Sequence, residues 1–110
     1  MAEVCTMLVE IVDVNASEWR LSARAKELVV EGASGRRRLR AMPGLEVDAL
    51  RPGTVSIHTA DDTILVIDGG FGTMVRDGTR VRIALSRASL VGVRPAAALE
   101  DDATMPSEVA

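Results

Sequence analysis

The chain has 110 residues, enough for one domain with a single modest core, and 47% of them are hydrophobic although only one Phe, one Trp and no Tyr are among them. Its formal charge is −3, but four of its acids, Glu100, Asp101, Asp102 and Glu108, follow the last basic residue, Arg94, so the body is close to neutral. That balance excludes a general nucleic-acid surface, and the single Cys5 excludes an internal disulfide or a cysteine-rich metal site.

The core must be built from Val, Ile, Leu, Ala and Met. Twelve of the thirteen basic residues are Arg, Lys26 being the exception. No basic residue precedes Arg20, which argues against a secretory leader, and the longest uncharged stretch, nine residues from Pro52 to Ala60, is too short to span a bilayer. These features lead us to expect an intracellular domain without direct membrane insertion.

Taken in chain order, Cys5–Val14 reads as a strand, because Glu10 and Asp13 fall too close together for a useful amphipathic helix. Asn15–Trp19 carries turn chemistry. Residues 23–32, ARAKELVVEG, fit a helical turn followed by a strand, or a strand throughout; Leu28-Val29-Val30 and Gly32 favour the strand. GASG (32–35) and RPG (51–53) are turns. TVSIHT (54–59) alternates, with Val55 and Ile57 on one face and Ser56 and His58 on the other. Asp61-Asp62 is a tight connection to a strand over 63–67. RDG (76–78) is a hairpin signal, and in TRVRIALS Val81, Ile83 and Leu85 oppose Arg80 and Arg82. Strands at this spacing, separated by turn signals, predict an all-β sandwich or barrel. After Ser86 the alternation fails, and Gly92, Pro95, Pro106 and the acidic end predict an irregular tail.

Three glycines within four residues, in VIDGGFGTMVRDG, raise the question of a phosphate loop. A dinucleotide fingerprint needs a third spaced Gly and a following helix whose N-terminus holds the pyrophosphate. Here Gly70-Phe71-Gly72 leads into Thr73, Met74 and Val75, a strand and a hairpin. No Lys-Ser/Thr pair follows, as a Walker-type loop requires. The glycines are better read as a bend where the chain leaves one sheet for another.

TILVIDGGFGTMVRDGTRVRIAL resembles the end of the N-terminal β-sandwich of the epsilon subunit of F-type ATP synthase. MLVEIVDVNASEW resembles that family's opening strand, AKELVVEGASG its next strand and Gly-x-x-Gly turn, and LRPGTVSI its Lys-Pro-Gly and following strand. The segments occur in order over residues 7–86. Two departures stand out. Residues 36–50 replace the family's Glu-Leu-Gly-Ile-x-Pro-Gly-His segment, which lies near the rotor contacts, and the chain after Leu85 is too short and too broken for the family's C-terminal helical hairpin.

Chemistry beyond that is sparse. His58 is expected as an exposed sheet residue, Trp19 as core packing, and Cys5 as a small strand residue packed like Ala. Ser22, Ser34, Ser56, Ser86 and Ser89 have no nucleophile-elbow context. GRRRLR (35–40) reads either as a solvated loop or as a contact with an acidic or carbonyl-rich partner surface, since the planar Arg fork bonds carboxylates bidentately.

The sequence therefore predicts a flattened, mostly antiparallel β-sandwich of about eight to ten strands over residues 1–86 and a short irregular acidic tail over 87–110. The resemblance implies a non-catalytic rotor subunit without cofactor, bound one-to-one to the gamma subunit and the c-ring at the cytoplasmic face of the bacterial plasma membrane. Arg36, Arg37, Arg38, Arg40 and Met42 are its candidate interface residues. The alternative is a stand-alone epsilon-like interaction module.

Overall fold

The structure, a computed structural model, describes residues 5–96. Among these residues nine strands form: β1 (Met7–Asp13), β2 (Ala16–Gly32), β3 (Gly35–Leu39), β4 (Leu45–Leu50), β5 (Gly53–Thr59), β6 (Thr63–Gly69), β7 (Gly72–Asp77), β8 (Arg80–Leu85) and β9 (Ala88–Pro95). All pairings are antiparallel except that of β1 with β8. The expected flattened sandwich is the fold observed.

The long β2 makes two layers out of one hydrogen-bonded sheet. Its first half pairs with β1, continuing through β8, β7 and β4; its second half pairs with β3 on one side and with β5 on the other, continuing through β6 and β9. A bulge at Lys26, where Ala25 faces Thr59 but Glu27 faces His58, lets one strand serve both layers. Before it Trp19, Leu21, Ala23 and Ala25 point inward; after it Leu28 and Val30 do. The phase change is why residues 23–32 look ambiguous in sequence.

Inward residues from both layers form one core that includes Met7, Val9, Ile11, Leu28, Ile57, Ile67, Met74, Val81, Ile83 and Leu85. The glycine segment does bend the chain between layers, since β6 pairs with β5 and β9 whereas β7 pairs with β4 and β8. A second crossover, Ser86-Arg87, runs beside it: Gly70 N donates to Arg87 O at 2.9 Å and Ser86 N to Phe71 O at 2.7 Å. The two crossovers satisfy each other's backbone groups.

Four expectations need correction. Cys5 precedes β1 and is exposed rather than packed. The first turn is only Val14-Asn15, because the buried Asp13 accepts from Asn15 N at 2.8 Å and from Ala88 N at 3.0 Å, which fixes a tight hairpin end. In the last hairpin the loop is Gly78-Thr79, one residue later than Asp-Gly implied; Asp77 pairs with Arg80, and Gly78 takes φ 61°, a conformation suited to glycine. The sheet also continues past residue 86. β9 pairs with β6, and Val91 is a bulged residue, since Val66 faces Gly92 while Ile67 faces Leu90. That extra residue erases the alternation in the sequence. The rest of the acidic tail, 97–110, lies outside the described residues.

Candidate functional site

GRRRL is not a loop. It is β3, an edge strand whose alternation sorts its arginines onto two faces. Arg36 and Arg38 point outward from β3, and Arg40 follows just beyond its end; Arg37 and Leu39 point inward. On the outer face Arg36 meets Glu31 at 2.9 Å, while Glu27 takes Arg38 at 3.6 Å and Arg40 at 3.1 Å. These cross-strand pairs are solvent-screened and individually weak, but they place the three cations in one ribbon.

Arg37 bridges the layers. Its Nη1 lies 2.5 Å from Glu46 and 3.0 Å from Asp48, both on β4. Arg76 on β7 joins from below: it is buried, donates to Met42 O at 2.9 Å, and lies 3.4 Å from the other Glu46 oxygen. Its Nε is buried and finds no acceptor among the described residues. These four side chains close the β3–β4 side of the sandwich with charge.

The hydrogen bond from Arg37, reinforced by Arg76, holds the Glu46 carboxyl below its ordinary value of 4.5, and Arg37 is correspondingly raised by Glu46 first and Asp48 second. The sign follows for stability. A depressed folded pKa stabilises the fold above the unfolded value and loses that contribution as pH falls through the folded value. The urea midpoint is therefore expected to fall below about pH 4.5, and Glu46→Gln to flatten that fall. An unchanged acid limb in the variant would contradict this role for Glu46.

Beside the cluster, the outer face of β4 and β7 is apolar. Leu45 is 72% exposed and Val47 68%, with Ala49 on the same face, while Val75 stands directly opposite Val47 and Met42 is exposed on the adjoining loop. Arg80 and Arg82 on β8 flank this corner and share Glu10 at 3.4 and 3.7 Å. A shallow hollow of about 290 Å³ lies along it, lined by Val12, Thr73, Val75 and Ala84 among others. Exposed apolar side chains gathered beside charge mark a surface suited to protein contact.

Of the sequence-derived candidates, the structure groups Arg36, Arg38 and Arg40 on the outer ribbon, turns Arg37 inward, and sets Met42 near the apolar corner. Leu45, Val47 and Val75 are not among those candidates. The signal was present in LEVDAL, whose alternation puts apolar residues opposite acids, but which face is buried cannot be read from one strand.

On the other layer His58 Nε2 lies 3.1 Å from Asp62 Oδ1, which Lys26 also approaches at 2.6 Å. Lys26 and then His58 lower the Asp62 pKa, and the Thr59 and Thr63 hydroxyls lower that of Asp61. Cys5 and His58 line one hollow with Lys26 and Arg40, but no hydrogen bond joins the two among the described residues. Among the described residues no three of His, Cys, Asp and Glu converge as metal donors would, and no helix is long and apolar enough to cross a membrane.

No protein-family model matches the chain, and no curated protein matches it in sequence. In structure, it is similar to a chain of the mitochondrial ATP synthase of Euglena gracilis, in the complex of OSCP, F1 and c-ring in rotational state 1, with a TM-score of 0.68 and 12% identity. The likeness covers 77% of this chain and 53% of the other, so the protein spans about half the length of that neighbour. The chain thus has the fold of a component of that ATP synthase assembly.

Proposed function

We propose that the chain is a non-catalytic rotor subunit of an F-type ATP synthase: an epsilon-type sandwich that joins the gamma subunit to the c-ring during proton-driven ATP synthesis. The observation that carries this reading is the fold likeness to a chain of the Euglena complex, in a sequence whose segments also resemble the epsilon family in order. On this reading the work is mechanical and needs no cofactor. The sandwich binds gamma one-to-one and sits peripherally at the cytoplasmic face of the bacterial plasma membrane. Its two layers, held at the β3–β4 side by Arg37, Glu46, Asp48 and Arg76, resist shear when torque passes through it.

The apolar corner of Met42, Leu45, Val47 and Val75, rimmed by arginines, is the face proposed for contact. A photo-crosslinking residue at Val47, or at Arg38 on the outer ribbon, tests it in cells. The expected product joins the chain to gamma or to a c subunit. Labelling of neither from either position, with the protein folded and the synthase present, would contradict the reading.

One observation favours the stand-alone alternative. Arg36, Arg38 and Arg40 are engaged by the chain's own Glu27 and Glu31, so they are less available to a partner than a bare basic loop would be. Under that alternative the same crosslinks capture a protein outside the synthase.

A further inference from the structure

The two sides of the sandwich differ in kind. On one, β3 and β4 are tied together by the Arg37 cluster. On the other lie β9, the last strand of its layer, and the first half of β2, the last of the opposite layer. These two strands run in the same direction and are pinned at both ends. At the start, Ala88 N donates to Asp13 Oδ2 at 3.0 Å and Asn15 Nδ2 to Ser86 O at 2.6 Å. At the finish, Ala96 N donates to Asp62 O and Ala60 N to Arg24 O, both at 2.8 Å.

Soluble proteins blunt free strand edges with charge, because unpaired N–H and C=O groups otherwise accept another strand. β3 carries Arg36, Arg37 and Arg38; β4 carries Glu46 and Asp48; the first half of β2 carries Glu18, Arg20 and Arg24. β9 has no charge from Ala88 to Val93, and its Leu90, Val91 and Val93 are 44%, 61% and 59% exposed. It pairs only with β6 among the described residues. Among the described residues it is the unguarded edge.

We propose that β9 is a self-association strand, which takes β9 of a second copy of this chain in antiparallel pairing across a two-fold axis. The strand is self-complementary in that arrangement. Centred between Val91 and Gly92, the pairing sets Leu90 opposite Val93 twice and Ser89 opposite Arg94 twice, so no like charges meet. Ser89 and Arg94 also share a face, since they pair with Asp68 and Ile64 two register steps of two apart on β6. The bulge at Val91 and Pro95 at the end limit the contact to a few residues, which makes a concentration-dependent dimer rather than a permanent one. This goes beyond the rotor reading, concerns the free chain, and leaves the β4–β7 corner uncovered.

Sedimentation of the full chain over a roughly hundredfold concentration range tests the inference. The wild type is expected to move from monomer to dimer. Ser89→Arg, which would oppose Arg94, is expected to weaken the dimer about tenfold, and Ser89→Glu to tighten it by a similar factor. Val47→Lys on the other face should leave it unchanged. Three results would overturn the proposal: a wild type monomeric throughout, a dimer indifferent to both Ser89 variants, or a dimer lost with Val47→Lys. A monomer whose β9 amides resist hydrogen exchange would instead assign the edge to residues 97–110 of the same chain.

Discussion

Gly72→Ala is expected to destabilise the fold by more than about 3 kcal/mol. A Cβ there would collide with the Ala84 carbonyl oxygen and come within 2.8 Å of Leu85 Cδ2. The first obstacle is backbone of the neighbouring strand, so a rotamer change cannot remove it, and the β7–β8 ladder must part. Since small domains are stable by only about 5–15 kcal/mol, the variant should unfold at a much lower urea concentration. A shift worth less than about 1 kcal/mol would mean that β7 and β8 are further apart than described.

Leu85→Ala is expected to cost about 3 kcal/mol, and its coupling to a second glycine makes the sharper test. Leu85 is buried in the core, and a Cβ on Gly69 would lie 2.8 Å from its Cδ1. Here the obstacle is the end of a flexible side chain. Gly69→Ala alone should therefore destabilise moderately, and much of that cost should vanish in the Leu85→Ala background, so that the double variant loses less than the sum. Gly72→Ala should gain little from the same background, because the Ala84 carbonyl remains. Urea denaturation of the single and double variants reads both cycles. Strict additivity at Gly69 would contradict the packing of β6 on β8.

The glycine-rich stretch thus has a structural purpose that its sequence partly disclosed. That the chain turns between sheets there followed from what surrounds it, a strand before and a hairpin after. Which glycine is indispensable did not, because that depends on Ala84 and Leu85 arriving from another strand.

The rest of the fold was legible in proportion to its alternation. TVSIHT and TRVRIALS each keep one phase, and both became strands with the expected faces inward. β2 was half legible, because the bulge at Lys26 moves the inward set from odd to even positions. β9 is hidden in the sequence for the same reason, at Val91. β3 was hidden by composition. Four arginines look like solvent-facing loop until Glu27 and Glu31, spaced four apart and so on one face of a strand, are placed beside them. Lys26-Glu27 through Glu31 carried that information, but only the register of β2 against β3 reveals it.

The candidate site was less legible than the fold. Arg36, Arg38 and Arg40 stand out in the sequence for their density, and they do gather on one surface, but with their own glutamates rather than a partner's. Arg37 belongs to a different structure altogether, the charged closure between layers. Arg76 gave no sign in sequence that it would be buried. Its place depends on Glu46 across the ladder and on the Met42 carbonyl, and neither is near it in the chain.

On the rotor reading, the sandwich joins the gamma subunit through the β4–β7 corner. Co-expression with the gamma subunit of the same genome, followed by size-exclusion chromatography with light scattering, measures that binding. A one-to-one complex is expected, lost when Val47 becomes Lys. Two separate peaks, with both proteins folded, would contradict it.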